Sequence, residues 1–350
     1  MSRRMGLAAG GALAVAAVVA ATSTWAQPAA PEPAGTPEPL TLASPDRSAT
    51  WTIQGENASI STARLTDRYY VNGIRVGFTS GTDVAPDAIR TLGDLLFGPG
   101  QTRLSLGVSQ QLYTAAANTV PVPPPGDRPY AATLLAHAGL VQDSADTRST
   151  LDLDVGILGP SALGEPLQNG FHDLIGQNRI KGWRTQIKDE PVGELTSSRV
   201  WRLPMGTLAG QDTDALLTAT AGVGTIKDYV EVGGQVRFGS GLASDFGAPR
   251  IQPGLTGGDA FRQTRPLVYY AFAGVGGQAI GHNELLDGQT FRSHSQSVHS
   301  EPFVAEFQGG AAMIYHGVRI SYTQALQTNE FRHQKGGLHQ FGSLALSVRF

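Results

Sequence analysis

The chain of 350 residues contains no cysteine. Disulfides and thiolate nucleophiles are thereby excluded, so stability has to come from closure of the fold itself. Charge is also sparse. Only 16% of residues are charged, the formal net charge is −3, and no run of Lys and Arg stands out, so there is no electrostatic case for a nucleic-acid partner. Long apolar runs are missing too. The best one, residues 6–21, falls short of the roughly 20 residues that span a bilayer as a helix, so no transmembrane helix is expected. Yet 41% of the residues are hydrophobic, 44 are glycine, and the mean hydropathy is −0.12, so the apolar side chains are dispersed. Dispersed apolarity is what the outward face of a membrane β-barrel requires.

What is present is alternation. From Ser343 to Phe350, large apolar residues occupy the even positions and small or charged ones the odd. A period of two places successive side chains on opposite faces of a strand, so these faces meet different solvents. An aromatic residue closing such a strand is the ending expected of a bacterial outer-membrane barrel, whose last strand pairs with its first. Leu104, Leu106 and Val108 alternate in the same way, as do Leu151, Leu153, Val155 and Ile157, and Val318, Ile320 and Tyr322. Comparable segments near 51–58, 69–80, 102–113, 130–142, 149–158, 195–205, 215–226, 229–238, 267–279, 302–315, 318–327 and 340–350 predict about twelve strands, each long enough to cross when tilted. The fold class expected is all-β: a closed antiparallel transmembrane β-barrel with a short amphipathic helix in one long loop. Arg3 and Arg4, the apolar run, and Thr24-Trp25-Ala26 read as an export signal over 1–26. Residues 27–48, rich in Pro and Ala, read as an extended tether, and 49–350 as the barrel.

Two insertions interrupt the pattern. Residues 114–128 carry four prolines and form a loop; residues 159–194 are long and partly helical. Within the second, Leu167, Phe171, Leu174 and Ile175 fall at helical spacing, Pro166 suits a first turn, and Gly176 can end the helix. Such a helix could lie against acyl chains, plug the lumen, or pack on the inner wall. His172 lies on it beside Gln168, Asn169 and Asp173. An imidazole is the side chain best suited to take a proton from water near neutral pH, although a lone histidine on a loop helix is more often structural or solvated. His294, His299 and His333 lack metal-ligand spacing. Ser161 lacks a Gly-x-Ser-x-Gly frame, which disfavours a serine nucleophile. A histidine-activated water would then need an amide, a lysine or calcium to stabilise the oxyanion.

Several blocks in order resemble the outer-membrane lipid A 3′-O-deacylase family. They are Glu56-Asn57, Asp67-Arg68-Tyr69-Tyr70 with Asn72-Gly73, Asp127-Arg128-Pro129-Tyr130-Ala131, Gly159 to Glu165 continuing to Gln168-Asn169 and His172, Gly182-Trp183 through Gln186 to Glu190, Leu286 to Phe291 with Ser293-His294-Ser295, and Phe341-Gly342-Ser343. The resemblance implies an outer-membrane enzyme that hydrolyses the 3′ acyl ester of lipid A, the lipid anchor of lipopolysaccharide. It further implies His172 as general base, Asn57 in the site, Gln168, Glu56 and Tyr70 near the substrate, and calcium on the oxyanion. This chain departs from the family where an Asn-Asp pair reads Asn57-Ala58 and a Tyr-Thr pair reads Tyr70-Val71. Losing a carboxylate and a hydroxyl together predicts weakened calcium binding, unless Glu56, Asp67 or Asp173 forms a shifted site.

Three functions compete on these grounds. The first is a lipid A ester hydrolase, and the second a catalytically impaired barrel of the same family that binds glycolipid or has a structural role. A diffusion porin is least favoured, since the motifs gather around one loop helix and not around a wide lumen. A barrel of this size is commonly stable alone, so a monomer is the default.

Overall fold

The computed structural model describes residues 42, 44–61, 68–251 and 258–350; the expected signal segment and most of the tether lie outside these described residues. Twelve antiparallel strands close into one barrel: β1 (Thr50–Asn57), β2 (Tyr69–Thr79), β3 (Gln101–Thr114), β4 (Ala131–Asp143), β5 (Thr147–Leu158), β6 (Glu190–Leu208), β7 (Gln211–Gly224), β8 (Lys227–Ser240), β9 (Leu267–Asn283), β10 (Phe303–Tyr315), β11 (Val318–Gln327) and β12 (His339–Arg349). Each strand pairs with its sequence neighbours, and β1 closes on β12 from Thr50 opposite Arg349 to Asn57 opposite Gly342. Closure leaves no free sheet edge, the condition for placing backbone polar groups in hydrocarbon. Among the described residues no helix is long and apolar enough to cross a membrane.

The alternation read in the sequence maps onto the two faces. Trp51 and Ile53, Ile74 and Val76, Leu106 and Val108, Leu153 and Val155, Val230 and Val232, and Leu344 and Leu346 point outward and are exposed. Thr52, Gln54, Glu56, Ser343 and Ser347 point inward and are buried among polar partners. Both termini of the barrel sequence lie at one end, here the terminal end; residues 58–61 and the loops 115–130, 159–189, 284–302 and 328–338 lie at the far end. There the lumen is filled by Tyr70, Tyr113, Ala131, Leu135 and Phe341, with Ile187 and Leu285 joining from the loops. At the terminal end the described part of the tether is pinned. Asp46 is buried and accepts from Arg103 at 2.9 Å and Arg349 at 2.6 Å.

Three features depart from the sequence reading. Strand β6 begins at Glu190, five residues earlier than expected, because Pro191 and Gly193 read as turn residues yet sit in register opposite Ile157 and Val155. A helix α1 (Asp87–Phe97) follows β2; its Gly93 and its largely exposed Leu95 blur the apolar period that would have announced it. The third is the connection between β8 and β9, whose described residues 241–251 and 258–266 enter the lumen from the terminal end. Asp245 accepts from Arg237 at 2.7 Å, Arg319 at 3.3 Å and the Tyr270 hydroxyl at 2.8 Å. Arg250 reaches the level of β1's far end, donating to Glu56 at 3.1 Å, Glu306 at 3.1 Å and Gln308 at 3.0 Å. Asp259 takes both terminal nitrogens of Arg75 at 2.9 and 2.5 Å. Buried ions need partners, and here each finds them across the lumen.

Candidate active site on the outer wall

The 159–189 loop folds over the outside of the barrel. Gln110 and Leu112 share outward parity with exposed Leu106 and Val108, and the Gln110 amide donates to the Ala162 carbonyl. Outward-facing Ala132 of β4 meets the start of helix α2 (Gly164–Leu174), where Gly164 is obligatory: a Cβ there would lie 2.6 Å from the Ala132 methyl and 2.7 Å from the Trp183 ring. Val71, Leu112, Ala115, Tyr130, Ala132, Ala162, Ile180 and Trp183 form the apolar seam between wall and loop.

Helix α2 is inside-out by soluble standards. Its polar residues Gln168, Asn169 and His172 are buried, while Phe171 and Leu174 are 55% and 81% exposed, with Leu167 and Ile175 beside them. Of the three placements the sequence leaves open for this helix, the lumen and the inner wall are not the ones adopted. Its apolar face points away from the barrel, a placement that costs little only where lipid covers it. The polar face instead folds the return segment back along the helix. Gln168 Oε1 accepts from Trp183 Nε1 at 2.9 Å, and Asn169 exchanges two hydrogen bonds with the Ile180 main chain at 3.2 and 2.8 Å. Gln168, expected near substrate, therefore braces Trp183. On the exposed side Asp173 pairs with Arg179, which holds its carboxyl below the usual range.

His172 is 7% exposed, and its Nδ1 lies 2.6 Å from the Asn178 main-chain oxygen. A carbonyl can only accept, so Nδ1 carries the proton and, in the neutral ring, Nε2 carries the lone pair. That is the tautomer a general base needs.

Asn57 ends β1 with outward parity, opposite Asn72 of β2. Its amide is oriented by its neighbours: Oδ1 accepts from Ser59 N at 2.6 Å, so Nδ2 faces Asn72 Oδ1 at 3.1 Å. A bulge between Tyr70 and Asn72 turns Val71 out towards the seam and brings Asn72 beside Asn57. Asn57, Asn72 and His172 thus belong to the outer face of the far end. Glu56 and Tyr70 do not, which corrects their grouping with the site. They point into the lumen, where Tyr70 donates to Glu56 at 2.8 Å and Arg250 neutralises the carboxylate. The physical reason is the strand's period of two, which cannot place Glu56 and Asn57 on one face. Asn72 and Trp183, by contrast, lie on this outer face and were given no role by residue-type reasoning.

A calcium ion does not fit the described donors. Calcium takes six to eight oxygens, carboxylates foremost. Beside Asn57, Ala58 and Val71 are buried and apolar; Glu56 is on the other face, Asp173 is paired with Arg179, and Asp67 lies outside the described residues. Among the described residues no group of three or more His, Asp or Glu side chains could hold a metal.

Comparison with known proteins places this geometry. The sequence matches the family described as "Outer membrane protein LpxR" over residues 12–350. Among solved structures, LpxR from Salmonella typhimurium superposes with a TM-score of 0.69 at 20% identity, covering 86% of this chain and 100% of that one. The transport unit of the autotransporter AIDA-I from Escherichia coli gives a TM-score of 0.39 at 9% identity, covering 98% and 96% of the two chains. No curated protein matches the sequence.

Proposed function

The chain belongs to the family of the outer membrane protein LpxR, and from that premise we propose that this outer-membrane barrel hydrolyses the 3′ acyl ester of lipid A with water activated by His172. The far end, with most of the long loops, then faces outside the cell and the terminal end the periplasm. The observation that carries the reading is His172 itself: a buried imidazole, fixed in the base-ready tautomer by Asn178, on a helix whose opposite face is apolar and exposed.

His172 Nε2 takes a proton as the water oxygen attacks the ester carbonyl carbon. The amide N–H groups of Asn57 and Asn72 are the donors available for the oxyanion. Collapse of the tetrahedral adduct breaks the bond to the sugar oxygen, which receives the proton from the imidazolium; fatty acid and free sugar hydroxyl leave. No step is assigned to calcium. The family's second reading, a glycolipid-binding barrel without turnover, draws on the apolar burial of Ala58 and Val71.

Mass spectrometry of lipid A from a Gram-negative host expressing the chain decides between them. Loss of one 3′ acyl unit is expected, its extent changed less than about twofold by a calcium chelator in membranes; this bound reflects a site without calcium-binding carboxylates. Unmodified lipid A beside correctly inserted barrel would overturn hydrolysis, and abolition by the chelator would overturn the calcium-free route. A further expectation concerns the outer face of α2. Phe171→Ser with Leu174→Ser should lower turnover of membrane-embedded lipid A about tenfold, from the lost burial of two large apolar side chains in lipid. Turnover of a short, water-soluble ester should change little. Equal losses on both substrates would place these residues in the fold of the loop and not at the lipid.

A further inference from the structure

Arg184 and Lys188, on the return segment below α2, and Arg292, from the loop after helix α3 (Glu284–Asp287), line one open groove of about 720 Å³ at the extracellular end, with Phe291 and His294 beside them. None of the described residues lining it is acidic. Nearby carboxylates are engaged elsewhere: both oxygens of Asp189 accept from Ser161, at 2.7 and 2.9 Å, and Glu190 is buried under the groove, taking Phe291 N at 2.7 Å and Gln289 Nε2 at 2.9 Å. Burial, with Glu190 adding to it, pushes the Glu284 carboxyl up. The groove is built, not merely populated. Gln289 clamps the Lys188 main chain through Oε1 at 3.1 Å and Nε2 at 2.7 Å, and Arg292 donates to the Asp189 carbonyl at 3.1 Å, so both loops are held together while three cationic heads stay exposed.

Like charges gathered in one concavity without counter-charges repel, and an arriving anion relieves the repulsion. One wall of the groove, residues 184–188, belongs to the loop that carries His172, Phe291 offers it an exposed aromatic edge from the other, and its volume admits a phosphorylated sugar. We propose that Arg184, Lys188 and Arg292 bind a phosphate ester on the sugar headgroup of the glycolipid and so hold the lipid at the loop that carries His172. This inference rests on the lipid A reading. A net charge of −3 argues against a general attraction for polyanions and leaves the recognition to this site.

The test uses the full-length barrel in detergent, on a His172→Ala background so that binding is read without turnover. Phosphorylated lipid A is expected to bind about tenfold tighter than its dephosphorylated form, and Arg184→Gln with Lys188→Gln and Arg292→Gln should erase that preference, as loss of charge-assisted hydrogen bonds predicts. In the active chain the same triple change should raise KM for the phosphorylated form about tenfold, with the effect in KM and not in kcat. Lys188→Gln alone, at an exposed position, gives a graded loss should the triple variant fold poorly. Retained phosphate preference in a folded variant overturns the proposal, and so does full competition by millimolar inorganic phosphate, which would mark a free-anion site. A chain that prefers phosphorylated lipid yet never hydrolyses it overturns the hydrolase reading alone; hydrolysis without phosphate preference overturns this one alone.

Discussion

Replacing His172 with alanine is expected to lower the rate of 3′ acyl release by about 10²–10⁴-fold, the usual contribution of a general base. The ring does two separable things. Nδ1 ties the helix to the Asn178 carbonyl, and Nε2 carries the lone pair. Loss of activity in alanine alone could reflect the first, so the decisive comparison is His172→Asn, whose amide nitrogen occupies nearly the place of Nδ1 and keeps a donor towards Asn178 while nothing replaces Nε2. Both variants should insert normally and release acyl chains at the same low rate, read by mass spectrometry of the lipid. If asparagine restores turnover to within tenfold of the parent, the ring is a strut and the base lies elsewhere.

The second large effect concerns the lumen. Asp245→Ala removes the carboxylate shared by Arg237, Arg319 and the Tyr270 hydroxyl, so Arg319 loses its 3.3 Å ion pair and Arg237 keeps only Asp214 among the described carboxylates. Removing one member of a buried ion pair costs about 3–5 kcal/mol because the remaining charge stays desolvated. The barrel is therefore expected to unfold at markedly lower temperature in detergent, seen as an earlier shift in gel mobility on heating. The described neighbours of Asp245 in the lumen, 241–251 and 258–266, should also loosen, raising ion conductance in planar bilayers above that of the parent. An unchanged transition with unchanged conductance would show that Asp245 does not secure the segment.

Much of the fold was legible because a membrane barrel writes its two solvents into every second residue. Leu151 to Ile157 and Ser343 to Phe350 needed no tertiary information. Strand β6 was clipped because Pro191 and Gly193 carry turn propensity that closure of the sheet overrides. The lumenal segment was illegible for a different reason. Asp245, Arg250 and Asp259 gain meaning only from partners on β1, β2, β8, β10 and β11, and no local pattern announces pairs separated by up to 194 residues.

The site was half readable. His172 stood out by its helix and neighbours. Glu56 and Asn57 were grouped although adjacent strand residues must face opposite ways, so that error was avoidable from the sequence. Asn72 was hidden by the bulge at Tyr70, which resets parity where the site lies. The cationic groove assembles from 184–188 and 292, too far apart to register as a basic cluster.

The segment inside the barrel also favours an order of assembly. Arg250 grips Gln308 on β10 and Glu56 on β1, while Arg319, which holds Asp245, bonds Ser347 on β12. Both sides of the β1–β12 seam are thus fastened to it. Threading Asp245, Arg250 and Asp259 through a finished ring would strip three ions of water before any partner was reached. Closing the seam last, around cargo already in position, avoids that cost, because each ion meets its partner as the ribbon curls round it.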